Sequence, residues 1–489
     1  MPFVGRGREL DAVREEFSRP VPSLVIVFGR RRIGKSTLLR EAARGRAEVY
    51  YQATKLDSAI SLGQFQEQIT NALGADPRAD GIADWLGTFR FLVRVAEARS
   101  PGLVVTLDEF PYLVEADPAL PSVIQQFWDS GYPSRGNLKL VLCGSAVAQM
   151  QDLLAERNPL YGRKTLSLDV GPLPLREAAE FFPNWSDEDR VTAYAIFGGI
   201  PYYLEMCDPE RSLWDNVHDL LLTRTGRLVD EPGLILGSEV KDPRRHASIL
   251  LAVASGCTTL GEIAGRVKEA NGSSGLTTYI ERLASLRLLR REHSIDATPR
   301  ERDSRYVVSD PFLAFWHRFV QPSLSAIARD FGREVLVRRI RPAMGEYMGL
   351  AFEEICREYV RNFLQELTGV PAHEVGGLWG RADFDIDVAG SALDGSALFG
   401  ECKWTAQPVT SGVLRLLRER VSTVEYGRGA PARHLLLFAK EGFHPEVSAE
   451  AEQERDLHLV SLSDLLRPRP PALRHVLDHE MDGSPAPSF

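Results

Sequence analysis

A glycine-rich segment near the start of the chain has the residue types and spacing to bind phosphate groups. It reads GRRRIGKST and fits the pattern GxxxxGK[ST], after an apolar strand-like run and before a helical pattern. The glycines let backbone N–H groups turn toward phosphate oxygens, Lys35 adds a charge there, and the Ser36 hydroxyl can ligate Mg²⁺. The predicted nucleotide-binding residues are Gly29, Arg30, Arg31, Arg32, Ile33, Gly34, Lys35, Ser36 and Thr37.

Two acidic residues and a serine follow segments that read as buried parallel strands. Asp108 and Glu109 end GLVVTLDEF, and Ser145 follows LKLVLCG. Ligands of α/β sheets bind at the carboxyl ends of such strands. We therefore expect Asp108 to hold the Mg²⁺ shell and Glu109 to polarise an attacking water. Ser145 is predicted to sense the γ-phosphate, although a Gly-Ser step after a strand is also ordinary turn chemistry.

A second group of chemically capable residues lies toward the end of the chain. Asp383, Asp385 and Asp387 alternate with apolar residues in ADFDIDVAG, and Glu401 and Lys403 stand two apart in LFGECKW. Residues two apart share one face of a strand, and the glycine-containing turn between the segments lets the strands pair. Carboxylates on both strands can hold a divalent metal while the lysine orients and helps deprotonate a water. The alternative is an exposed β-hairpin with charged outer residues.

Composition limits the classes of protein that fit. The chain has 489 residues, which is too many for one compact core, so two to four domains are predicted. Its 44% hydrophobic and 26% charged residues are normal for a globular protein, and the strand and helix patterns described above indicate an α/β multidomain protein. The net charge of −9 argues against a generally basic nucleic-acid coat. The five cysteines form no CxxC pair, which indicates neither a zinc site nor a disulfide framework. We expect a cytoplasmic location and no membrane span, because neither a signal-peptide pattern nor a long apolar run is present.

Residues 244–310 have the pattern of a winged helix, with three amphipathic helical segments and two strand-like pieces around a polar turn. If the helix from Leu276 entered a major groove, three residues would face the duplex, Thr277, Thr278 and Tyr279, and three arginines would contact phosphates, Arg300, Arg302 and Arg305. Such a domain can equally be a docking module or a cover for the nucleotide. Between Leu286 and Arg341 twelve arginines stand against seven carboxylates, which fits either a nucleic-acid face or an interface with acidic parts of the same chain.

The first 235 residues resemble the archaeal-type ATPase family, a branch of the P-loop NTPases related to the STAND signalling ATPases. The motifs FVGRGREL, GRRRIGKST, LDEF, LCGS, PLYGRKT and FGGIPYYL appear in the family's order. The resemblance implies that Arg6 approaches the nucleotide, that Arg163 is an arginine finger or phosphate sensor, and that Pro201 packs on adenine. Without the resemblance, Arg163 is an ordinary solvated loop arginine and Pro201 a helix stop.

Residues 335–465 are similar to the PD-(D/E)XK nuclease-like domain appended to many archaeal-type ATPases. The similarity implies Asp387 and Glu401 as metal ligands, Lys403 as the catalytic lysine and Glu353 as a carboxylate brought by a helix. Two positions depart from the family pattern, since Asp385 stands where glutamate is usual and Ile386 replaces the proline. Beyond this site, Gln407 is a minor candidate, and His475 with His479 read as a solvated face.

Together these features predict four segments, a P-loop ATPase with helical lid (1–235), a winged helix (236–334), a restriction-endonuclease-like α/β domain (335–466) and a flexible tail (467–489). The leading hypothesis is an ATPase that controls Mg²⁺- or Mn²⁺-dependent DNA cleavage, with ATP, Mg²⁺ and DNA as ligands. One alternative is a STAND-like switch that binds DNA or a partner protein without cutting, and another is a chaperone-like ATPase. A homo-oligomer is possible, and a finger acting in trans would require one.

Overall fold

The computed structural model describes residues 3–98, 102–267, 275–297, 304–380 and 385–468. The chain divides into two compact units, unit 1 with Met1–Trp185 and Thr192–Ala351, and unit 2 with Ser186–Val191 and Phe352–Phe489. The four predicted segments remain a prediction. Most of the predicted tail, residues 469–489, lies outside the described residues, as do His475 and His479.

Unit 1 contains a five-stranded parallel sheet. Its strands are β1 Ser23–Phe28, β2 Ala47–Gln52, β3 Leu103–Asp108, β4 Leu138–Gly144 and β5 Leu166–Asp169, in the order β2-β3-β4-β1-β5. Strands β1, β3 and β4 are buried at every residue, because their apolar segments are covered on both faces. The order places the carboxyl ends of these three strands side by side. This parallel sheet with flanking helices fits the predicted P-loop NTPase fold.

Helices surround this sheet and continue into the later part of unit 1. In chain order they are α1 Gly7–Ser18, α2 Lys35–Ala43, α3 Ser58–Leu73, α4 Trp85–Glu97, α5 Phe110–Ala116, α6 Leu120–Asp129, α7 Val147–Asp152, α8 Leu175–Ala178, α9 Asp187–Phe197, α10 Pro201–Glu205, α11 Leu213–Leu221 and α12 Glu231–Glu239. The aromatic side chains of α3, α4 and α6 supply much of the core, with Phe65, Phe89 and Phe127 completely buried.

The middle segment has the predicted succession of elements. Its helices are α13 Pro243–Ala254, α14 Leu260–Val267 and α15 Thr277–Ser285, and its strands β6 Leu289–His293 and β7 Ser304–Val308 pair antiparallel. Helix α14 begins with a Thr-x-x-Glu capping box, in which Glu262 accepts the Thr259 N–H at 2.9 Å while its own N–H donates to the Thr259 hydroxyl. Short helices follow, α16 Pro311–Phe315, α17 Leu324–Ile327 and α18 Gly332–Val335, with π-helical turns Trp316–Val320 and Leu336–Ile340. The winged-helix identity stays a prediction.

Unit 2 is built on a separate five-stranded mixed sheet. Its strands are β8 Ala372–Trp379, β9 Asp385–Ala392, β10 Ala397–Lys403, β11 Arg433–Ala439 and β12 Leu457–Ser461, in the order β12-β11-β10-β9-β8. Its helices are the long α19 Arg341–Thr368, which begins in unit 1, then α20 Ser411–Thr423, α21 Pro445–Gln453 and α22 Leu462–Leu466. The predicted pairing of the Asp strand with the Glu-x-Lys strand is confirmed, since β9 and β10 are antiparallel neighbours. Among the described residues, no helix has the length and apolar character to cross a membrane.

Candidate functional site

The glycine-rich segment forms the turn from β1 into α2. Gly29, Arg32 and Gly34 have φ angles of 155°, 68° and 88°. A Cβ on Gly29 would lie 2.3 Å from the carbonyl oxygen of Val170, so glycine is required at this close approach. Helix α2 starts at Lys35, and the unpaired N–H groups of its first turn lie directly after the loop. Such a helix start favours anionic groups.

Lys35 and Ser36 lie at the junction of the loop and the helix. The buried ammonium group of Lys35 donates to the carbonyl oxygens of Gly29 at 2.9 Å and Arg30 at 3.1 Å. The Ser36 hydroxyl donates to Asp108 Oδ2 at 2.8 Å. The two residues predicted to ligate Mg²⁺ are therefore in direct contact. Of the flanking loop residues, Ile33 is buried and Thr37 is exposed.

The Asp108 carboxylate is buried and well supplied with hydrogen-bond donors. In addition to Ser36, the Tyr50 hydroxyl donates to Oδ2 and the Glu109 N–H donates to Oδ1 at 2.9 Å. Burial acts to raise the pKa of Asp108, but the hydrogen bonds, led by that of Tyr50, outweigh it and hold the pKa below its ordinary value. Tyr50 was not predicted from the sequence, and it lies beside Asp108 because β2 pairs with β3.

Glu109 and Ser145 form one hydrogen-bonded pair. Glu109 has a φ of 53°, in the left-handed region that few non-glycine residues adopt. Its carboxylate accepts the backbone N–H of Ser145 at 3.2 Å and the Ser145 hydroxyl at 2.8 Å. The residue predicted to polarise water is thus held by the residue predicted to sense the γ-phosphate.

Arg6 and Pro201 lie beside the second glycine of the loop. The position of a Cβ on Gly34 would be 3.6 Å from Pro201 Cγ and 3.9 Å from Arg6 Nε. Buried Arg6 donates to the carbonyl oxygens of Ile33 at 2.6 Å and Gly171 at 2.8 Å. Two of the three residues named from the family resemblance, Arg6 and Pro201, are therefore brought to the phosphate-binding loop from far apart in the sequence.

The C-terminal candidate residues also come together, within unit 2. Asp387 on β9 accepts the backbone N–H of Cys402 on β10 at 2.8 Å. Lys403 donates to Glu401 Oε1 at 2.6 Å. Glu353, on α19, is linked to Asp387 through Arg357, which donates to Glu353 Oε2 at 3.0 Å and to the Asp387 carbonyl oxygen at 2.7 Å. Asp383 lies outside the described residues.

Burial and the charge of neighbouring carboxylates both raise pKa values at this second site. Burial, followed by the charge of Asp387, raises the pKa of Glu353 to about 7 against the opposing effect of Arg357. Burial, followed by the charge of Glu401, raises the pKa of Asp387 to about 6. Carboxylates crowded in this way release energy when a divalent cation binds them. The donor set therefore fits a hard cation held by oxygen ligands.

Two arginines of this site were not found from the sequence. Arg357 bridges Glu353 and Asp387, and Arg420 on α20 donates to Glu401 Oε2 at 3.0 Å and to the Asp385 carbonyl oxygen at 2.9 Å. Both lie on amphipathic helices, where an arginine is usually solvated. Across the described residues, no group of three or more His, Cys, Asp or Glu side chains is arranged as a metal site. A cation bound here would therefore need further ligands from backbone, water or phosphate oxygens.

Comparison with known proteins finds family matches in two parts of the chain. Residues 3–207 match a family model described as an ATPase domain predominantly from Archaea. Residues 316–414 match a model described as archaeal bacterial proteins of unknown function, and this span contains Glu353, Asp387 and Lys403. A protein of Methanocaldococcus jannaschii named Uncharacterized protein MJECL04 is 30% identical over 406 residues, covering 82% of this chain and 87% of the relative. The chain belongs to the archaeal-type P-loop ATPase family.

Solved structures similar to this archaeal-type ATPase include other nucleotide-binding proteins. The Walker-type ATPase paby2304 of Pyrococcus abyssi has a TM-score of 0.48 and 21% identity, covering 64% of this chain and 96% of that chain. The ORC2 protein of Aeropyrum pernix has a TM-score of 0.44 and 14% identity, covering 70% and 96%.

One predicted residue of the archaeal-type ATPase is not brought to the phosphate loop. Arg163 forms a bidentate pair with Asp129, at 2.8 and 2.7 Å, and donates to the carbonyl oxygens of Pro159 and Tyr161. These bonds hold its guanidinium between the end of α6 and its own loop. The role of Arg163 as a finger or sensor stays a prediction.

The middle segment of the archaeal-type ATPase contacts its nucleotide-binding part. Arg287 forms a bidentate pair with Asp169 at the end of β5. This contact favours the predicted alternative in which part of the arginine-rich stretch forms an interface with acidic parts of the same chain. Thr277 and Thr278 are exposed, whereas Tyr279 packs against His246 with a ring separation of 5.1 Å. Arg300 and Arg302 lie outside the described residues, while Arg305 is partly buried on β7.

Proposed function

We propose that this archaeal-type ATPase hydrolyses ATP in unit 1 and uses the nucleotide state to control a DNA-cleaving site in unit 2. The observation that carries the nuclease part is the convergence of Glu353, Asp387, Glu401 and Lys403, which come from one helix and two paired strands. Control of one unit by the other is inferred from their presence on one chain.

In unit 1 the contacts support hydrolysis as well as binding. Ser36 and Asp108 present adjacent oxygens that would complete the shell of a nucleotide-bound Mg²⁺, together with phosphate oxygens and water. Glu109 lies at the end of β3 beside these residues. Its carboxylate can accept a proton from a water once it is released from Ser145.

In unit 2 the chain supplies carboxylates for a cation and a base-assisting lysine. Asp387 and Glu401 would hold Mg²⁺ or Mn²⁺, and Glu353 adds a third carboxylate. The bound cation would polarise the scissile phosphate and lower the pKa of a water. Lys403, next to Glu401, would orient that water and help to remove its proton. DNA is proposed as substrate because this arrangement resembles the PD-(D/E)XK core.

A second candidate is an ATP-driven switch that binds DNA or a partner protein without cutting. The observation that favours it is the pairing of both Glu401 carboxylate oxygens, one with Lys403 and the other with Arg420. A cation must displace at least one of these partners. If that displacement costs too much free energy, unit 2 binds DNA or a partner protein without cleaving DNA.

Cleavage of DNA by the full chain, with Mg²⁺ or Mn²⁺ and with or without ATP, tests the proposal. Single-stranded, duplex and branched substrates are compared for wild type, Lys403→Ala and Lys35→Ala. Lys440→Ala is the matched control, because Lys440 is also partly buried in unit 2 and paired with carboxylates, those of Glu188 and Glu441. We expect cleavage by wild type and by the control, none by Lys403→Ala, and an altered ATP response in Lys35→Ala.

Absence of cleavage by wild type under every condition, with ATP hydrolysis intact, would overturn the nuclease part and leave the switch. Cleavage that survives Lys403→Ala would place the chemistry elsewhere or in a contaminant. Equal ATP dependence in wild type and Lys35→Ala would overturn the proposed control.

A further inference from the structure

The three arginines between the loop glycines have two different kinds of partner. Arg30 donates to Asp310 Oδ2 at 2.6 Å, and Arg32 is paired with Glu231. Both carboxylates are almost fully buried, with side-chain exposures of 3% and 2%. Removing either arginine would leave a buried charge without its partner, which is strongly destabilising. Arg30 and Arg32 therefore fasten the loop to later parts of unit 1.

The Arg31 guanidinium donates hydrogen bonds to hydroxyl groups, whereas those of Arg30 and Arg32 donate to carboxylates. Its Nη2 donates to the Tyr112 hydroxyl at 2.6 Å, and its Nε lies 3.4 Å from Ser145 Oγ. Neutral hydroxyls orient a guanidinium without cancelling its charge, and Arg31 is exposed. The middle arginine is thus held in place and keeps its charge available for an anion.

The Ser145 hydroxyl helps to orient the Arg31 guanidinium. The Ser145 hydroxyl contacts the Arg31 guanidinium on one side and the Glu109 carboxylate on the other. Arg31 therefore contacts the side chain predicted to sense the γ-phosphate, and that side chain in turn bonds Glu109, which is predicted to polarise the attacking water.

Arg163, the arginine expected to serve as a finger, is differently placed. Its guanidinium is bidentate to Asp129 and also bonds two carbonyl oxygens. To reach a nucleotide in another subunit it would have to give up charge-assisted bonds at 2.7–2.8 Å. Arg31 needs to give up only two bonds to hydroxyls.

We propose that Arg31 is a catalytic residue that acts in its own subunit by stabilising the charge that develops on the γ-phosphate during hydrolysis. The inference rests on the proposed ATP hydrolysis. In that step the water oxygen bonds to the γ-phosphorus while the bond from γ-phosphorus to the β–γ bridging oxygen breaks. The electron pair leaves with ADP, and Glu109 accepts the water proton and returns it to inorganic phosphate. Arg31 binds the γ-phosphate oxygens as their charge spreads.

A binding comparison separates this role from a structural one. The affinities for ADP and for ADP with aluminium fluoride, which imitates the transferring phosphoryl group, are measured with Mg²⁺ present for wild type and variants. We expect Arg31→Ala to keep its ADP affinity, to lose the extra affinity conferred by aluminium fluoride, and to lose about 10²–10³-fold in kcat. Arg31→Lys should recover part of the lost affinity and part of the lost kcat, because lysine restores the positive charge but not the planar, forked guanidinium.

The exposed, surface-paired Arg157 provides the control, and Arg157→Ala should behave as wild type. The proposal would be overturned if Arg31→Ala kept both its kcat and the extra ADP affinity that aluminium fluoride confers. If Arg163→Ala lost both of these instead, the role would belong to Arg163.

Mixing the Arg31→Ala and Lys35→Ala proteins tests whether Arg31 acts in its own subunit. No recovery of hydrolysis is expected, and recovery would show action between subunits. A wild-type protein that hydrolyses no ATP would instead refute the proposed function itself.

Discussion

The two carboxylate sites of this ATPase differ in how the protein compensates their charge. In unit 1, Asp108 accepts hydrogen bonds from Ser36, Tyr50 and the Glu109 backbone, and its pKa lies below the ordinary value. In unit 2, the pKa values of Glu353 and Asp387 rise to about 7 and about 6. The protein's own hydrogen-bond donors outweigh burial at the first site, whereas at the second site burial and neighbouring carboxylates outweigh the nearby cations Arg357 and Lys403.

This difference indicates two ways of preparing for a cation. A carboxylate held by hydroxyls is already ionised and aligned, so the cation adds to an ordered site. Buried carboxylates that lie near one another favour protons or cations, so the binding of a cation itself supplies part of the driving force. We expect unit 1 to depend on nucleotide for its metal and unit 2 to bind a metal directly.

Single lysine substitutions should have the largest effects, because they should separate ATP hydrolysis from DNA cleavage. Lys35→Ala should reduce ATP hydrolysis by about 10²–10³-fold or more, because it removes the buried charge at the phosphate loop. Lys403→Ala should leave hydrolysis unchanged and abolish DNA cleavage. Parallel phosphate-release and cleavage assays measure both. Loss of both activities in both variants would mean that the sites are not chemically independent.

The next effect concerns the ion pairs that fasten the phosphate loop. Asp310→Ala removes the partner of Arg30 and the cap that accepts the Leu313 N–H. Unit 1 should lose about 2–3 kcal/mol of stability, with unit 2 unaffected. Hydrogen exchange resolved to β1 and β10 measures each unit separately. Unchanged protection in β1 would show that the pair contributes nothing.

Metal binding by unit 2 should weaken as the pH falls. Protons compete for Glu353 and Asp387 below their pKa values of about 7 and 6, so Mn²⁺ affinity should drop about 20-fold from pH 8 to pH 6. Calorimetric titration of the nucleotide-free full chain at several pH values measures this. The same affinity at pH 8 and pH 6 would contradict the assignment of these carboxylates to the metal.

The smallest effect tests the hydroxyl support of Asp108. Tyr50→Phe removes one hydrogen bond to a charged acceptor and should cost unit 1 about 1 kcal/mol. It should also raise the pKa of Asp108, since that bond is the leading influence that lowers it. Urea unfolding compares it with Tyr161→Phe, which changes an exposed tyrosine. Equal stability of the two variants would show that the bond is dispensable.

Local patterns were enough to predict the phosphate loop, the parallel sheet and the antiparallel pairing of β9 and β10. Each depends on spacing within a short segment, which the sequence displays directly. The partners of the loop arginines could not be predicted in this way, because Asp310 is 280 positions from Arg30. The same applies to Arg420 beside Glu401 and Tyr50 beside Asp108, since only the tertiary fold brings them together.

The most direct test of the contrast between the sites is the stability of Asp108→Asn and Asp387→Asn at pH 8 without nucleotide or divalent metal. A carboxyl group whose pKa is higher in the folded than in the unfolded protein lowers the stability of the folded state as the pH rises from about 4 through about 6. Asp387→Asn should therefore stabilise unit 2 by about 1–3 kcal/mol. Asp108 has the opposite shift, and Asp108→Asn should destabilise unit 1. Hydrogen exchange in β10 and β3 gives both values. Opposite signs are predicted, and a loss of stability in both variants would contradict the account.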